Sequence, residues 1–322
     1  MDEVELFKLF DPLFADLRTA DTFPTKRPLL AHYTSISVLE AMLRNDEVWL
    51  SNPLFMNDLE EVRFGINKGA DLFLTSSEIE AACGSKTRAD LLKSTFKNYY
   101  NQFATDHVLD TYVLCLTEHA KEDTDGLLSM WRAYGGNGNG AAIVFDTARV
   151  PARDEAPLII GKVDYATTEE RIDWLRQRVT QFATILASAR PPDDKLYLTS
   201  SWFFQRLKLF AIFTKHRGFK EEGEWRLVYM RDRDPTQVFD TMFSYAIGAT
   251  GVEPKLKLQI EHLPGYSDDN LSLSKLIERI ILGPSLSSPL ARLTVLKMLE
   301  TLKKSSLKDR VVSSTIPFRA GG

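Results

Sequence analysis

Leu127-Leu-Ser-Met-Trp-Arg-Ala-Tyr134 runs into Gly135-Gly-Asn-Gly-Asn-Gly140 and then into Ala141-Ala-Ile-Val-Phe145. The first piece predicts a short helix, the last an apolar strand, and the glycines stand between them. A dinucleotide-binding loop needs the reverse order, strand then glycines then a helix whose N-terminus meets the pyrophosphate. The register Gly-x-Gly-x-x-Gly is absent, and no Gly-Lys-Ser/Thr follows. The cluster is therefore predicted to be a helix end and a turn, with glycine supplying positive φ. This argues against a doubly wound nucleotide-binding sheet.

Working outward, Leu29–Tyr33, Glu47–Ser51, Thr111–Thr117, Leu158–Tyr165, Trp225–Met230, Ile277–Leu282 and Val311–Phe318 read as strands. Lys255–His262 alternates as a half-exposed strand does. Ser37-Val-Leu-Glu40 matches a capping box and predicts a helix carrying Leu39, Met42 and Leu43. Residues 3–19 predict one amphipathic helix, and Pro289–Lys304 another. Strands and helices interleave without a strict βαβ rhythm, which predicts an α+β fold. We expect a single domain over 1–322, with helical insertions at about 65–106 and 166–214.

The 322 residues are 44% hydrophobic and 26% charged, enough apolar matter for a sizeable core. The formal charge of −4 lacks the basic excess of a dedicated duplex-DNA binder. Cys83 and Cys115 form neither a disulfide framework nor a Cys-x-x-Cys metal site, so no metal is expected. The start, Met-Asp-Glu-Val-Glu-Leu, is acidic, and no run approaches the roughly 20 apolar residues that cross a bilayer. A cytoplasmic location without a membrane partner is expected.

Two segments concentrate polar chemistry. His32-Tyr33-Thr34, Trp49-Leu-Ser51-Asn52-Pro53 and Phe55-Met-Asn57-Asp58 lie around the ends of two strands. Lys215-His-Arg217-Gly-Phe-Lys-Glu-Glu222-Gly-Glu224-Trp-Arg226 is a charged loop running into an apolar strand. Glu222 and Glu224 are two apart, so at a strand start they would share a face. Such a carboxylate pair raises each member's pKa unless cations or a ligand offset it.

These segments resemble, in order along the chain, the bacterial domain-of-unknown-function family numbered 2971. The resemblance rests on His32-Tyr33-Thr34, Val48–Pro53, Phe55–Asp58, Leu114–Thr117, Met130–Tyr134, Ile143–Asp146, Lys215–Arg226, Ile281–Pro284 and Ile316–Arg319. Leu116-Thr117 replaces the usual Phe-Ser, and Gly223 stands where a charged residue is common. The motif order is also similar to that of ADP-ribosyltransferases, with His on a first strand, Ser on the next and Glu-x-Glu at a later one.

That likeness implies a mixed, largely antiparallel central sheet and NAD as substrate, in a transferase or an NAD glycohydrolase of toxin or phage-defence type. Glu224 would stabilise the cationic ribose that develops as the nicotinamide bond breaks. Glu222 would act on the acceptor, which is unknown: protein, nucleic acid or water. His32 would bind a ribose hydroxyl, Tyr33 or Trp49 would stack on nicotinamide, and Ser51 and Asn57 would help hold the site. Arg217, Lys215 or Arg63 would meet the pyrophosphate. The reading expects His32, Ser51, Glu222 and Glu224 on one cleft. On this expectation, His32 and Glu224 on opposite faces of the sheet would end the transferase hypothesis. It also expects Glu224→Gln to leave stability unchanged or raised, since one of two close carboxylates is neutralised. The alternatives are a nuclease with Mg²⁺ on Asp58, Glu222 and Glu224, and a non-catalytic binding or scaffold protein.

Overall fold

The computed structural model describes residues 2–56, 59–105, 109–151, 157–248, 251–262 and 271–318. The chain divides into two compact units. The first comprises Met1–Thr25, Pro53–Thr111 and Lys162–Lys220; the second comprises Lys26–Asn52, Tyr112–Gly161 and Glu221–Gly322.

Helices make up most of the first unit: α1 (Glu3–Phe10), α3 (Leu59–Thr75), α4 (Ser77–Cys83), α5 (Lys86–Thr105), α7 (Thr168–Ala189) and α8 (Leu196–Phe213). The helix expected over 3–19 stops at Phe10 and continues as a 3-10 turn, Asp11–Leu17. Pro12 has no N–H to give and clashes with the carbonyl four residues back, which ends an α-helix there. Phe73 stacks on Phe96 at 4.1 Å and on Phe203 at 4.8 Å, and Phe182 packs on Phe203 at 5.0 Å. Aromatic area of this kind supplies much of a core's hydrophobic energy. Two short strands, β6 (Asp164–Ala166) and β7 (Thr214–His216), pair in parallel. Both helical stretches expected from the sequence are helical, and both lie in this unit.

The second unit carries a mixed, largely antiparallel sheet. Its strands are β1 (Leu29–Thr34), β2 (Glu47–Ser51), β3 (Thr111–His119), β4 (Ala141–Asp146), β5 (Leu158–Lys162), β8 (Glu224–Met230), β9 (Phe243–Gly248), β10 (Gly251–Gln259), β11 (Ile277–Leu282) and β12 (Val311–Ser313). The order is β12-β11-β4-β1-β3-β2-β10-β9, with β8 joined to β3 and β5. The β11–β12 pair is parallel. The helices are α2 (Ile36–Asn45), α6 (Leu128–Ala133), α9 (Leu273–Leu276) and α10 (Pro289–Thr301). The cap of α2 is Ser35, whose side chain accepts from Val38 N, rather than the expected Ser37. The predicted strand over 158–165 breaks at Val163 into β5 and β6.

The glycine cluster is the predicted turn. Gly136, Asn137 and Gly138 have positive φ, and Gly140 N–H returns to Gly135 O at 2.9 Å. A Cβ on Gly140 would lie 2.2 Å from the Thr34 carbonyl. Glycine is needed there because β4 and the end of β1 approach backbone to backbone.

Candidate functional site

The motif strands meet on β3. Glu118 N–H donates to Gly223 O at 2.9 Å, so the backbone groups of Glu118 point to the β8 edge. In an antiparallel ladder alternate residues point to alternate edges, so those of Cys115 and Thr117 point the other way. β1 occupies this second edge, with Leu29↔His119 and Ala31↔Thr117. β8 follows the first edge toward Tyr112, because the rings of Tyr112 and Tyr229 both pack on Phe243, at 5.2 and 6.0 Å. That places β2, which meets β3 at Ser51↔Val113, on the β1 edge as well. Between these contacts β1 and β3 part, and His32 Nδ1 reaches the Cys115 carbonyl at 3.0 Å.

A carbonyl only accepts, so Nδ1 carries the proton. Burial holds the His32 pKa below its ordinary value; the Cys115 bond opposes this, and nearby Lys255 adds to it. His32 is therefore neutral near pH 7, with Nε2 left as an acceptor.

Side-chain parity sorts the remaining residues. Ala31, Tyr33, Thr117 and Cys115 share one face, and paired Ser51 and Val113 share it too. On the other face Glu118 meets Lys26 at 2.8 Å and accepts from Trp225 Nε1 at 3.2 Å. Glu224 alternates with Trp225, so it stands on the face of Tyr33 and Ser51. His32 alternates with Tyr33 and leaves β1 on the opposite face, with Nδ1 turned to the Cys115 carbonyl. The expected convergence is thus only partial. Ser51 and Glu224 share a face, and His32 does not stand across from Glu224.

Glu222 is not at a strand start. It closes the 3-10 turn Arg217–Glu222, and Gly223, with φ of 51°, redirects the chain before β8. Tyr134 Oη donates to Glu222 Oε1 at 3.2 Å. Glu224 is instead clamped by Arg226, Nε to Oε1 at 2.7 Å and Nη2 to Oε2 at 3.0 Å. The pair expected to be two repelling carboxylates is two carboxylates with separate partners.

Tyr33 is a core residue. Its hydroxyl accepts from Leu127 N at 2.9 Å, its ring meets Trp131 edge-on at 4.8 Å, and burial pushes its pKa up to about 12. Nicotinamide stacking by Tyr33 does not fit this placement. Trp49 donates to Glu47 at 2.7 Å and carries Lys257 over its ring at 4.3 Å. Ser51 accepts from Lys255 Nζ at 2.7 Å, and Lys255 also pairs with Glu253 at 2.9 Å.

The Lys215–Arg226 segment is divided between the units after Lys220. In the first unit Lys215 is buried, its ammonium 4.7 Å from the Phe219 ring, while Arg217 and Arg63 are exposed. Asn57 and Asp58 lie outside the described residues. Among the described residues no group of three His, Cys, Asp or Glu side chains is disposed to hold a metal ion. Among them, too, no helix is long and apolar enough to cross a membrane.

Sequence reasoning missed Arg226 as the partner of Glu224, although the two-residue spacing at a strand start was a usable signal. It missed Lys255, which reaches Ser51 only because β10 pairs with β2. It also missed Thr117, buried at the centre of β3, whose hydroxyl has no hydrogen-bond partner among the described residues.

The family described as "Protein of unknown function (DUF2971)" matches residues 130–227. This span holds Met130–Tyr134, Ile143–Asp146 and Lys215–Arg226; the His32 and Ser51 motifs lie before it. No curated protein and no solved structure matches this chain.

Proposed function

We propose that the gap between β1 and β2 on the β3 edge binds NAD, and that Glu224 is the carboxylate that stabilises ribose charge as nicotinamide leaves. One observation carries this reading: the His-Tyr-Thr strand, the Trp-Leu-Ser strand and the Glu-x-Glu strand all meet on β3. The likeness to the ADP-ribosyltransferase fold belongs to this proposal. With His32 leaving β1 on the face opposite Glu224, the reading gives up the requirement that the two share a face, and with it the motif's usual roles. His32 pins the gap open through Cys115 O and offers Nε2 to a ribose hydroxyl, and it is not the partner of Glu224 across the sugar. Arg226 orients Glu224, and Glu222, beside Tyr134, is the group that serves an acceptor.

The test is nicotinamide release by the purified chain incubated with NAD, with and without EDTA. Release that survives EDTA supports the reading; no release with water, protein or nucleic acid as acceptor ends it. A second reading is favoured by the Glu224 clamp itself. A buried carboxylate with both oxygens on one guanidinium is also how a non-catalytic sheet satisfies a buried charge. Under that reading the polar cluster ties strands together and NAD is untouched.

A further inference from the structure

The first unit contains a cleft of about 280 Å³ that none of the motifs anticipated. On α7, Trp174, Gln177 and Arg178 are one turn apart and line it together; on α8, Arg206, Phe210 and Phe213 do the same. Asp16 closes it from the 3-10 turn, and Asp164 and Thr214, ladder partners in β6 and β7, form its floor. Its size is near the lower end of the roughly 300–1,000 Å³ usual for small-molecule sites.

The charges in this cleft are only partly matched. Asp16 Oδ2 receives Arg206 Nη2 at 2.6 Å and Arg178 Nη2 at 3.1 Å, and Arg206 Nε donates to Leu13 O at 2.9 Å. The Arg206 side chain is only 5% exposed, and burial lowers its pKa against the pull of Asp16. Its Nη1 has no partner among the described residues. The Asp164 side chain is exposed and has neither ion pair nor hydrogen bond among them; partial desolvation first, and then Asp16, raise its pKa, while Lys162 and Arg206 lower it. One guanidinium edge and one carboxylate thus face a cleft whose remaining wall is Trp174, Phe210 and Phe213.

We propose that this cleft binds a small zwitterion with an apolar body, of the α-amino-acid class. Its carboxylate meets Arg206 Nη1, its ammonium meets Asp164, and its side chain lies against Trp174 and the two phenylalanines. A ligand with only an ammonium leaves the buried Arg206 edge unmatched, which is the costly omission, and one with only a carboxylate leaves Asp164 to water. Zwitterion recognition follows from that balance and is independent of the NAD reading.

The experiment is isothermal titration of the full chain with L-phenylalanine, L-phenylalanine amide and N-acetyl-L-phenylalanine. The free amino acid is expected to bind, and each blocked form to bind at least ~10-fold more weakly, the loss of one charge-assisted hydrogen bond. Asp164→Asn should weaken the free amino acid by a similar factor with little change in melting temperature, because Asp164 is exposed and makes no hydrogen bond or ion pair of its own among the described residues. Binding should also weaken as pH falls through the raised Asp164 pKa. An amide that binds as tightly as the free acid, an equally tight N-acetyl form, an indifferent Asp164→Asn variant, or no heat at millimolar ligand would each overturn the proposal.

Discussion

Replacing Glu224 by Gln tests the clamp and the proposed chemistry together. The Glu224 and Arg226 side chains are 5% and 2% exposed, so solvent screening takes little from their interaction. Gln keeps one carbonyl oxygen for Arg226 and presents an NH₂ where the second oxygen stood. One charge-assisted bond is lost, worth about 1.5–3 kcal/mol. Breaking a buried pair outright costs about 3–5 kcal/mol, and Gln keeps part of this one. Glu224→Gln is therefore expected to destabilise the second unit by ~2–4 kcal/mol. This reverses the expectation of an unchanged or raised stability. That expectation assumed Glu222 and Glu224 repel each other, whereas Tyr134 and Arg226 engage them separately. Glu224→Met with Arg226→Met together should recover most of the loss, since a well-packed apolar replacement of both partners is often neutral or better. The assay is urea unfolding followed by fluorescence and circular dichroism, accepted where the two probes coincide. A Glu224→Gln protein within ~0.5 kcal/mol of wild type, below the usual cost of even one buried hydrogen bond, refutes the clamp. A double variant as unstable as either single one refutes charge as its cause. Nicotinamide release by the folded fraction then separates the two functional readings. Loss of ~10²–10³ in rate by folded Glu224→Gln supports catalysis, and full turnover removes Glu224 from it.

Glu222→Gln keeps an acceptor for Tyr134 and should cost under ~1 kcal/mol, while transfer to an acceptor is lost and some hydrolysis of NAD is retained, read by acceptor labelling beside nicotinamide release. His32 has a folded pKa below its ordinary 6.5, so the native state binds fewer protons than the unfolded chain between those values. Stability should be full above pH 6.5 and fall as pH drops below it; unfolding curves over this range should show a shallower fall in His32→Gln, with the remainder carried by buried His119, which shifts in the same direction. Tyr33→Phe leaves Leu127 N–H without its acceptor and should cost ~1–3 kcal/mol by denaturant unfolding. Gly140→Ala drives a Cβ into the Thr34 carbonyl and should cost at least ~1–3 kcal/mol, read as a lowered melting temperature.

By itself the sequence determined most element identities, because they follow from local periodicity. The apolar runs at 29–34, 47–51, 141–146 and 224–230 are buried strands, and the long 3.6-period stretches are helices. The order of helix, glycines and strand at 127–145 was enough to set aside a nucleotide loop, since that argument needs only chain direction. Local reading failed where signals compete within a few residues, as at Ser35 against Ser37 or Pro12 within a helical pattern. It also missed β9, whose Tyr245 and Ile247 are exposed and give no core-facing alternation. The site was decided by tertiary structure. Which face His32 leaves from depends on the pairing of Ala31 with Thr117, and a shift of one residue would reverse it. Lys255 meets Ser51 only through the β2–β10 ladder, and the gap at Cys115 exists only because β1 and β2 share one edge of β3. Register and edge-sharing are long-range choices made by the packing of the whole sheet, so no local window of sequence encodes them.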